Sequence, residues 1–274
     1  MKNNDRDSYG ITVKSDYGRA ILPEKIIDVG RYDVTIEENG EISGGVMCTN
    51  ITATTPFNIA GSVLSMDTVR VTVKNGLGLF KGPINATRSF LVAGGEKNST
   101  ACRMIGDVSG NSITLNNSVI YGNILGNKVV LKNCLVFGEV HASSYLELDN
   151  CFVFSFIADK VKMCSDTYIL NLSSRFDDTI EQEGKLYSLA MTSIANMNLD
   201  NLVELTKEDI VRSTHNGAVL QIISCFNRIT SLESVEMQIK ENLLWFENLL
   251  ISYVTTEDND IADAAEKIIR KIMT

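Results

Sequence analysis

With 274 residues, 44% of them apolar and 22% charged, the chain has a globular composition and is long enough for one large or two ordinary domains. Its formal net charge of −9 opposes binding to nucleic-acid phosphates, because no cluster of Lys and Arg offsets that charge. No apolar run approaches the roughly 20 residues that cross a bilayer, and residues 1–8 lack the apolar centre of a signal peptide. These features predict a cytoplasmic protein without a nucleic-acid partner or a membrane span.

The chain begins with a polar stretch and then becomes periodic. Residues 1–25 lack strong periodicity, which predicts a loose N-terminal arm. From residue 26 onward, glycines open successive apolar segments at steps of 16, 21, 24, 16 and 16 residues: Gly45, Gly61, Gly82, Gly106, Gly122 and Gly138. The two longer steps indicate insertions at 75–78 and 94–100, which would project from the corners of a repeating coil.

The stretch from residue 106 to residue 154 consists of three copies of one unit. Three sets of equivalent positions recur in it: Leu115, Leu131 and Leu148; Asn117, Asn133 and Asn150; Ser118, Cys134 and Cys151. One extra residue near Ser143 or Ser144 displaces the last copy. Apolar residues alternate with period two inside each copy, which is typical of strands. The pattern predicts a β-solenoid in which equivalent residues stack about 4.8 Å apart, with an asparagine ladder along the stack.

The six cysteines are scattered, without a CxxC pair: Cys48, Cys102, Cys134, Cys151, Cys164 and Cys225. Stacked Cβ atoms about 4.8 Å apart are farther apart than disulfide geometry prefers. The cysteines are therefore predicted to be buried thiols rather than disulfides or metal ligands.

The periodicity weakens after Cys151, which predicts that the solenoid spans residues 26–173. From Asp177 to the C-terminus, apolar residues are spaced by threes and fours, as in amphipathic helices. One long helix is predicted from Ser231, with this apolar face: Leu232, Val235, Ile239, Leu243, Phe246, Leu250 and Tyr253. A last helix is predicted to start near Asp260. Residues 177–274 are thus predicted to form a small α-helical bundle of four or five helices.

The runs Val34-Thr-Ile36 and Gly40-Glu-Ile42-Ser-Gly-Gly45-Val46, with the Gly-x-apolar openings, resemble the bactofilin family of polymer-forming cytoskeletal proteins. The resemblance covers roughly residues 30–170 and implies a right-handed parallel β-helix. It departs from the family in its long helical C-terminal region and in its two insertions. Left-handed hexapeptide-repeat acyltransferases are the competing architecture, but a step of 16 residues does not divide into their hexads.

Few residues are placed for catalysis or cofactor binding. The two histidines are His141, at a predicted coil corner, and His215, near a predicted helix end. Gly76 and Gly78 lack the third glycine of a nucleotide loop, and the stretch 257–260 lacks the glycine of a calcium loop. The sequence therefore predicts no catalytic residue, no cofactor and no metal site.

A β-solenoid ends in a turn whose N–H and C=O groups can pair with another chain. The leading hypothesis is therefore a non-enzymatic scaffold that self-assembles through its solenoid ends without nucleotide, with the helical region as a cap or as a docking module for a protein partner. A rigid adaptor whose helices bind a partner protein is the alternative. A carbohydrate-active or acyl-transferring enzyme is the third possibility, and His141 is its best candidate residue.

Overall fold

A computed structural model of the chain shows a mainly β fold, a parallel β-solenoid of about eight turns with short helical segments, which confirms the predicted fold class. The structure describes residues 10–13, 27–96, 99–170, 175–189, 203–205, 237, 240–241, 244–248 and 260–273. The chain divides into two compact units, residues 1–119 and 120–274. The handedness of the solenoid stays a prediction.

In the first unit, long and short strands alternate along the chain. Its strands are β1 (Gly10–Val13), β2 (Ile27–Ile36), β3 (Gly40–Ile42), β4 (Val46–Thr54), β5 (Phe57–Ile59), β6 (Val63–Thr72), β7 (Gly78–Phe80), β8 (Ile84–Ala93), β9 (Cys102–Ile105) and β10 (Val108–Asn116). The long strands β2, β4, β6, β8 and β10 pair in parallel in that order, and so do the short strands β3, β5, β7 and β9. Each turn therefore contributes one long and one short strand.

The second unit continues this alternation and ends in helix. After β11 (Ser118–Tyr121), which begins in the first unit, come β12 (Ile124–Lys132), β13 (Leu135–Asp149), β14 (Cys151–Met163), β15 (Thr167–Ile169), β16 (Arg175–Gln182), β17 (Leu186–Ser188), β18 (Val203–Leu205) and helix α1 (Asp260–Ile272). β12, β13, β14 and β16 pair in parallel, as do β14, β15 and β17. β13 and β14 are longer because each joins a short and a long segment without a break.

The predicted extra residue near Ser143 or Ser144 is a β-bulge. Gly126 pairs with Ala142 and Lys128 with Tyr145, so two serines lie opposite the single residue Asn127. The Ser144 hydroxyl donates to the Asn127 carbonyl oxygen at 2.8 Å, and Ser143 Oγ bonds Asn127 Oδ1 at 3.1 Å. Such a bulge absorbs one residue at a corner without disturbing the register of the strand beyond it.

The predicted loose arm is wrong for residues 10–13. β1 pairs in parallel with β2, with Ile11 opposite Val34 and Val13 opposite Ile36. Apolar residues at 11 and 13 share the phase of buried Val34 and Ile36, which is the alternation that a half-buried strand requires. Four residues are too short a segment for that alternation to stand out from the polar sequence around it.

The predicted end of the solenoid near residue 173 is also wrong. β16 and β17 pair in parallel with β14 and β15, so the stacked turns extend to Ser188. Asp177 and Asp178 lie in the register shift between the pairs Ala158–Phe176 and Lys160–Thr179. A pair of acidic residues suits an irregular corner as well as the first turn of a helix, so the sequence alone does not distinguish a further solenoid turn from a helix start.

Helix is present near the C-terminus. α1 begins at Asp260 as predicted, and the described residues among 237–248 are helical, Phe246 included. Other positions of the predicted long helix lie outside the described residues: Leu232, Val235, Ile239, Leu243, Leu250 and Tyr253. The predicted number of helices in the bundle therefore stays a prediction.

Candidate functional site

The predicted leucine column lies in the core. Leu115, Leu131 and Leu148 are fully buried. Within the second unit, Leu131 pairs in register with Leu148, which in turn pairs with Met163. In the first unit, Leu115 pairs with Val92. Apolar side chains thus repeat at one phase of the long strands and form the interior of the stack.

The predicted asparagine positions are corners with left-handed backbone. Asn117, Asn133 and Asn150 have φ angles of 50°, 50° and 52°, a region that asparagine tolerates better than most residues. In the second unit, Asn150 Nδ2 donates to Asn133 Oδ1 at 3.0 Å, which is one step of an amide ladder. In the first unit, Asn117 Nδ2 donates instead to the Gly94 carbonyl oxygen at 3.2 Å. That carbonyl belongs to an inserted stretch, which explains the different partner.

The residue after each corner carries a short hydroxyl or thiol. Each of these groups donates to the carbonyl oxygen two residues earlier, at 2.9 to 3.4 Å: Ser118 to Asn116, Cys134 to Lys132, Cys151 to Asp149, and Thr167 to Ser165. All four donor side chains are buried. The equivalence of serine and cysteine in the repeat therefore reflects one shared hydrogen bond, which satisfies a corner carbonyl group.

The corner glycines lie where successive turns touch through their backbones. A Cβ atom on Gly61 would lie 2.5 Å from the backbone nitrogen of Gly45, and one on Gly82 would lie 2.7 Å from the carbonyl carbon of Gly61. In the second unit, a Cβ on Gly138 would lie 2.1 Å from the Gly122 oxygen. Gly106, with a φ of 129°, combines a left-handed backbone with close contact to Pro83. These positions have no room for a side chain.

The described cysteines are thiols, as predicted. Four of them are buried and Cys164 is partly exposed, whereas Cys225 lies outside the described residues. Burial, with a smaller contribution from the Asp33 carboxylate, raises the pKa of Cys48 to about 12. Burial, followed by the hydrogen bond with Cys134, raises the pKa of Cys151 well above its ordinary value. Thiols in this environment are weak nucleophiles.

We expect the free energy of unfolding to fall as the pH rises above about 9, because the Cys48 thiol ionises there only in the unfolded chain. The folded pKa lies above the unfolded one, so this contribution is complete below pH 9 and is lost as the pH approaches 12. Each pH unit should remove about 1.4 kcal/mol. Urea unfolding of the wild type and of Cys48→Ala from about pH 8 to pH 11 measures this, and the variant should decline less steeply. Equal slopes would contradict the assignment.

The burial of the short strands differs between the two units. In the first unit, the central residues of the short strands β3, β5, β7 and β9 are only partly buried or exposed: Glu41, Asn58, Leu79 and Arg103. In the second unit, every residue of Leu135–Phe137, of Cys151–Val153 and of Thr167–Ile169 is buried. A strand that is buried on both faces has a covering layer on its outer side.

Aromatic side chains lie on the outward faces of these buried segments of the second unit. The rings of Tyr121 and Phe137 stack with their centroids 4.9 Å apart, Phe137 and Phe152 lie 5.4 Å apart, and Tyr168 stacks on Tyr187 at 5.4 Å. We call Tyr121, Phe137, Phe152, Phe154, Tyr168 and Tyr187 the aromatic column. The column crosses successive turns, since Phe152 pairs in register with Tyr168 and Tyr168 with Tyr187, while Phe152 and Phe154 share β14.

Helical residues cover the aromatic column. The ring of Phe246 lies 4.5 Å from that of Phe154 and 6.4 Å from that of Phe137. Tyr121 Oη donates to the buried Glu266 Oε1 at 2.8 Å, and Tyr168 Oη donates to the Ile272 carbonyl oxygen at 3.3 Å. These contacts place the described helical residues against the side of the solenoid turns.

The contact of helical residues with the aromatic column is not among the predictions from sequence, although the chain carries a signal for it. The runs Leu135-Val-Phe137 and Cys151-Phe-Val-Phe154 are continuously apolar, whereas a strand with one solvated face alternates. A continuous run indicates a strand that is covered on both sides. The stacking repeat predicts the inward positions and does not assign a partner to the outward aromatic residues.

The structure describes some of the residues with candidate chemistry, among them His141 and Gly78. His141 is exposed, in register with Leu125 and Ile157, and His215 lies outside the described residues. Gly78 begins β7, and a Cβ there would meet the Phe57 ring, so this glycine serves strand packing. Within the described ranges, no group of three or more His, Cys, Asp or Glu is placed to hold a metal ion. No described helix has the length and apolar content needed to cross a membrane.

Comparison of the chain with family models, with curated proteins and with solved structures gave no match.

Proposed function

We propose that this chain is a non-enzymatic structural protein of the cytoplasm that assembles with copies of itself through the rims of its β-solenoid, without nucleotide. A rim is here the outer edge of the first or of the last turn. This is the role that the resemblance to the bactofilin family implies. The observation that carries the proposal is the parallel, in-register stacking of successive turns.

Inside each unit, a long strand is paired along both of its edges. β6, for example, pairs through Val63 with Val46 of β4 on one edge and with Ile84 of β8 on the other. A strand at a rim has only one such neighbour within the stack, so its other edge presents N–H and C=O groups to any chain that can continue the register. A second copy carries strands of matching spacing and alternation.

The position of the helical residues supports the same role. Phe246 and α1 contact the outward side chains of the aromatic column. Contacts of this kind use the flank of the turns and leave the backbone groups of a rim to other partners. The predicted alternatives for the helical region were a cap or a docking module, and its described contacts are lateral.

Sedimentation velocity and negative-stain electron microscopy of the purified chain, without nucleotide, test the proposal. We expect species larger than the 30.2 kDa monomer, formed at micromolar concentration and retained at high salt, since backbone pairing depends little on surface charge. Monomers alone, over a wide range of concentration and salt, would exclude this function.

A second candidate function is an adaptor whose helical residues bind a partner protein. It is favoured by exposed apolar side chains there, since Leu244 is 59% and Met237 58% exposed. Affinity capture with the intact chain tests it through a matched pair of variants. Leu244→Glu should lose a partner that Leu125→Glu retains, because Leu125 is similarly exposed, at 55%, but lies on the solenoid. Equal capture by both variants would count against the adaptor.

A further inference from the structure

The outer edge of the last turn already holds a strand that runs in the opposite direction. β18 is antiparallel to β17, with Tyr187 opposite Glu204, and it is the one antiparallel pair among the described strand registers. Lys185 Nζ lies 2.9 Å from Glu204 Oε2, so an ion pair joins the two strands at this edge. β18 takes the short-strand position, beside β17, of the layer that a further parallel turn would occupy, since neighbouring strands are about 4.8 Å apart.

The outer edge of the first turn is built differently. β1 is parallel to β2 and continues the register of the long strands, with Thr12 opposite Thr35. Both threonines are exposed. β1 therefore extends the stack in its own direction, and its outer edge, which has no partner among the described strand registers, is of the same kind.

We propose that self-assembly uses the rim of the first turn alone, that its partner is the same rim of a second copy, and that assembly closes as a dimer. The inference rests on the proposed function. A chain with one open rim and one blocked rim stops at two copies, because a contact between identical surfaces related by a two-fold axis is self-complementary and closed.

The two-fold axis sets how the two β1 strands meet. Two copies of one edge related in this way run antiparallel, and residues directly opposite each other share a face of the sheet. The register that keeps apolar residues on one face places Ile11 opposite Val13 of the second copy and Thr12 opposite Thr12 of the second copy. Ile11 and Val13 pair with buried Val34 and Ile36. This register therefore continues, in both copies, the alternation that places apolar residues at the buried positions of the stack.

Cysteine cross-linking tests this register. Residues directly opposite each other in an antiparallel pair have Cβ atoms about 4.5–5.5 Å apart, a separation that a short bifunctional thiol reagent spans, so Thr12→Cys should give a covalently linked dimer with such a reagent. Thr35→Cys is the matched control, because Thr35 is equally exposed but lies one strand further from the contact. Cross-linking of Thr35→Cys to the same extent, or its absence in Thr12→Cys, would overturn the proposed surface.

Sedimentation separates this inference from the function on which it rests. A wild-type chain of twice the 30.2 kDa monomer mass is the expected result. Long filaments of the wild type would overturn the single open rim while supporting self-assembly. Monomers alone would overturn both.

Opening the blocked rim provides the second test. Adjacent residues of a strand direct their N–H groups to opposite sides, so only one of Val203 and Glu204 donates to β17. Replacing both, Val203→Pro with Glu204→Pro, removes that donor whichever of the two it is. We expect this variant to sediment as species larger than a dimer, whereas Val203→Thr with Glu204→Gln, which keeps the backbone donors, should remain a dimer. Circular dichroism measures whether the variants retain their β content. A folded proline variant that stays a dimer would overturn the blocking role of β18.

Discussion

Replacing Gly138 by alanine is expected to lower the free energy of unfolding by about 3 kcal/mol or more, at the upper end of what overpacking costs. The added methyl group would lie 2.1 Å from the Gly122 carbonyl oxygen and 3.0 Å from the Asn123 nitrogen. Both are backbone atoms of the preceding turn, so no side-chain rotation relieves the contact. Gly138 has no positive φ angle, and the expected loss therefore reports turn-to-turn contact and not backbone strain.

The loss of unfolding free energy in Gly138→Ala should exceed the cost of the steric clash alone. Spreading the two turns at this corner would weaken the hydrogen bond from the Glu139 backbone nitrogen to Asn123 Oδ1, which is 2.9 Å long. Urea unfolding followed by circular dichroism measures the change. Leu125→Ala is the control from the preceding turn, since Leu125 is 55% exposed and its truncation should change stability by no more than about 0.5 kcal/mol. A Gly138→Ala variant as stable as this control would refute close backbone stacking at the corner.

The inward face of the solenoid was the part most readily predicted from sequence. Stacking places each residue on its counterpart one turn away, so the period of 16 and the chemistry of Leu131, Asn133 and Cys134 are visible in one dimension. The bulge at Ser143 and Ser144 was equally visible, because one extra residue shifts every later landmark. Periodicity of this kind needs no knowledge of distant contacts.

The limits of the solenoid were harder to predict because they depend on single strands without a repeat. β1 has four residues, and β16 contains the two acids Asp177 and Asp178, which also suit a helix start. β18 is antiparallel to β17, unlike the other described strand pairs, so the sequence repeat does not predict it. When a strand has no counterpart in the repeat, the local sequence does not specify which strand it pairs with.

The aromatic column depends on contacts between residues far apart in the chain. The sequence correctly places Phe246 on the apolar face of a helix, but an amphipathic pattern does not identify the surface against which that face packs. The continuous apolar runs at 135–137 and 151–154 indicate that a cover is needed without identifying it. Only the structure joins the two observations, through the contacts of Phe246 with Phe154 and Phe137.

Replacing Phe246 by alanine is therefore expected to release the helical cover from the aromatic column. The side chain is only 8% exposed, and truncation of a buried phenylalanine costs about 3–5 kcal/mol. Its ring packs against Phe154 at 4.5 Å and against Phe137 at 6.4 Å, so the loss combines buried apolar area with aromatic contact. The stacked turns should remain folded, because their backbone pairing does not involve Phe246.

Two measurements and one matched control separate this local loss from general unfolding. Hydrogen exchange should accelerate in α1 and in helical residues 244–248, while the amides of β12, β13 and β14 stay protected. Binding of a hydrophobic dye should increase as the aromatic column becomes exposed to water. Leu244→Ala, two residues away on the same helical segment and 59% exposed, should change neither signal. If Phe246→Ala and Leu244→Ala behave alike, Phe246 does not anchor the helical residues to the solenoid, and the covering role assigned to it is wrong.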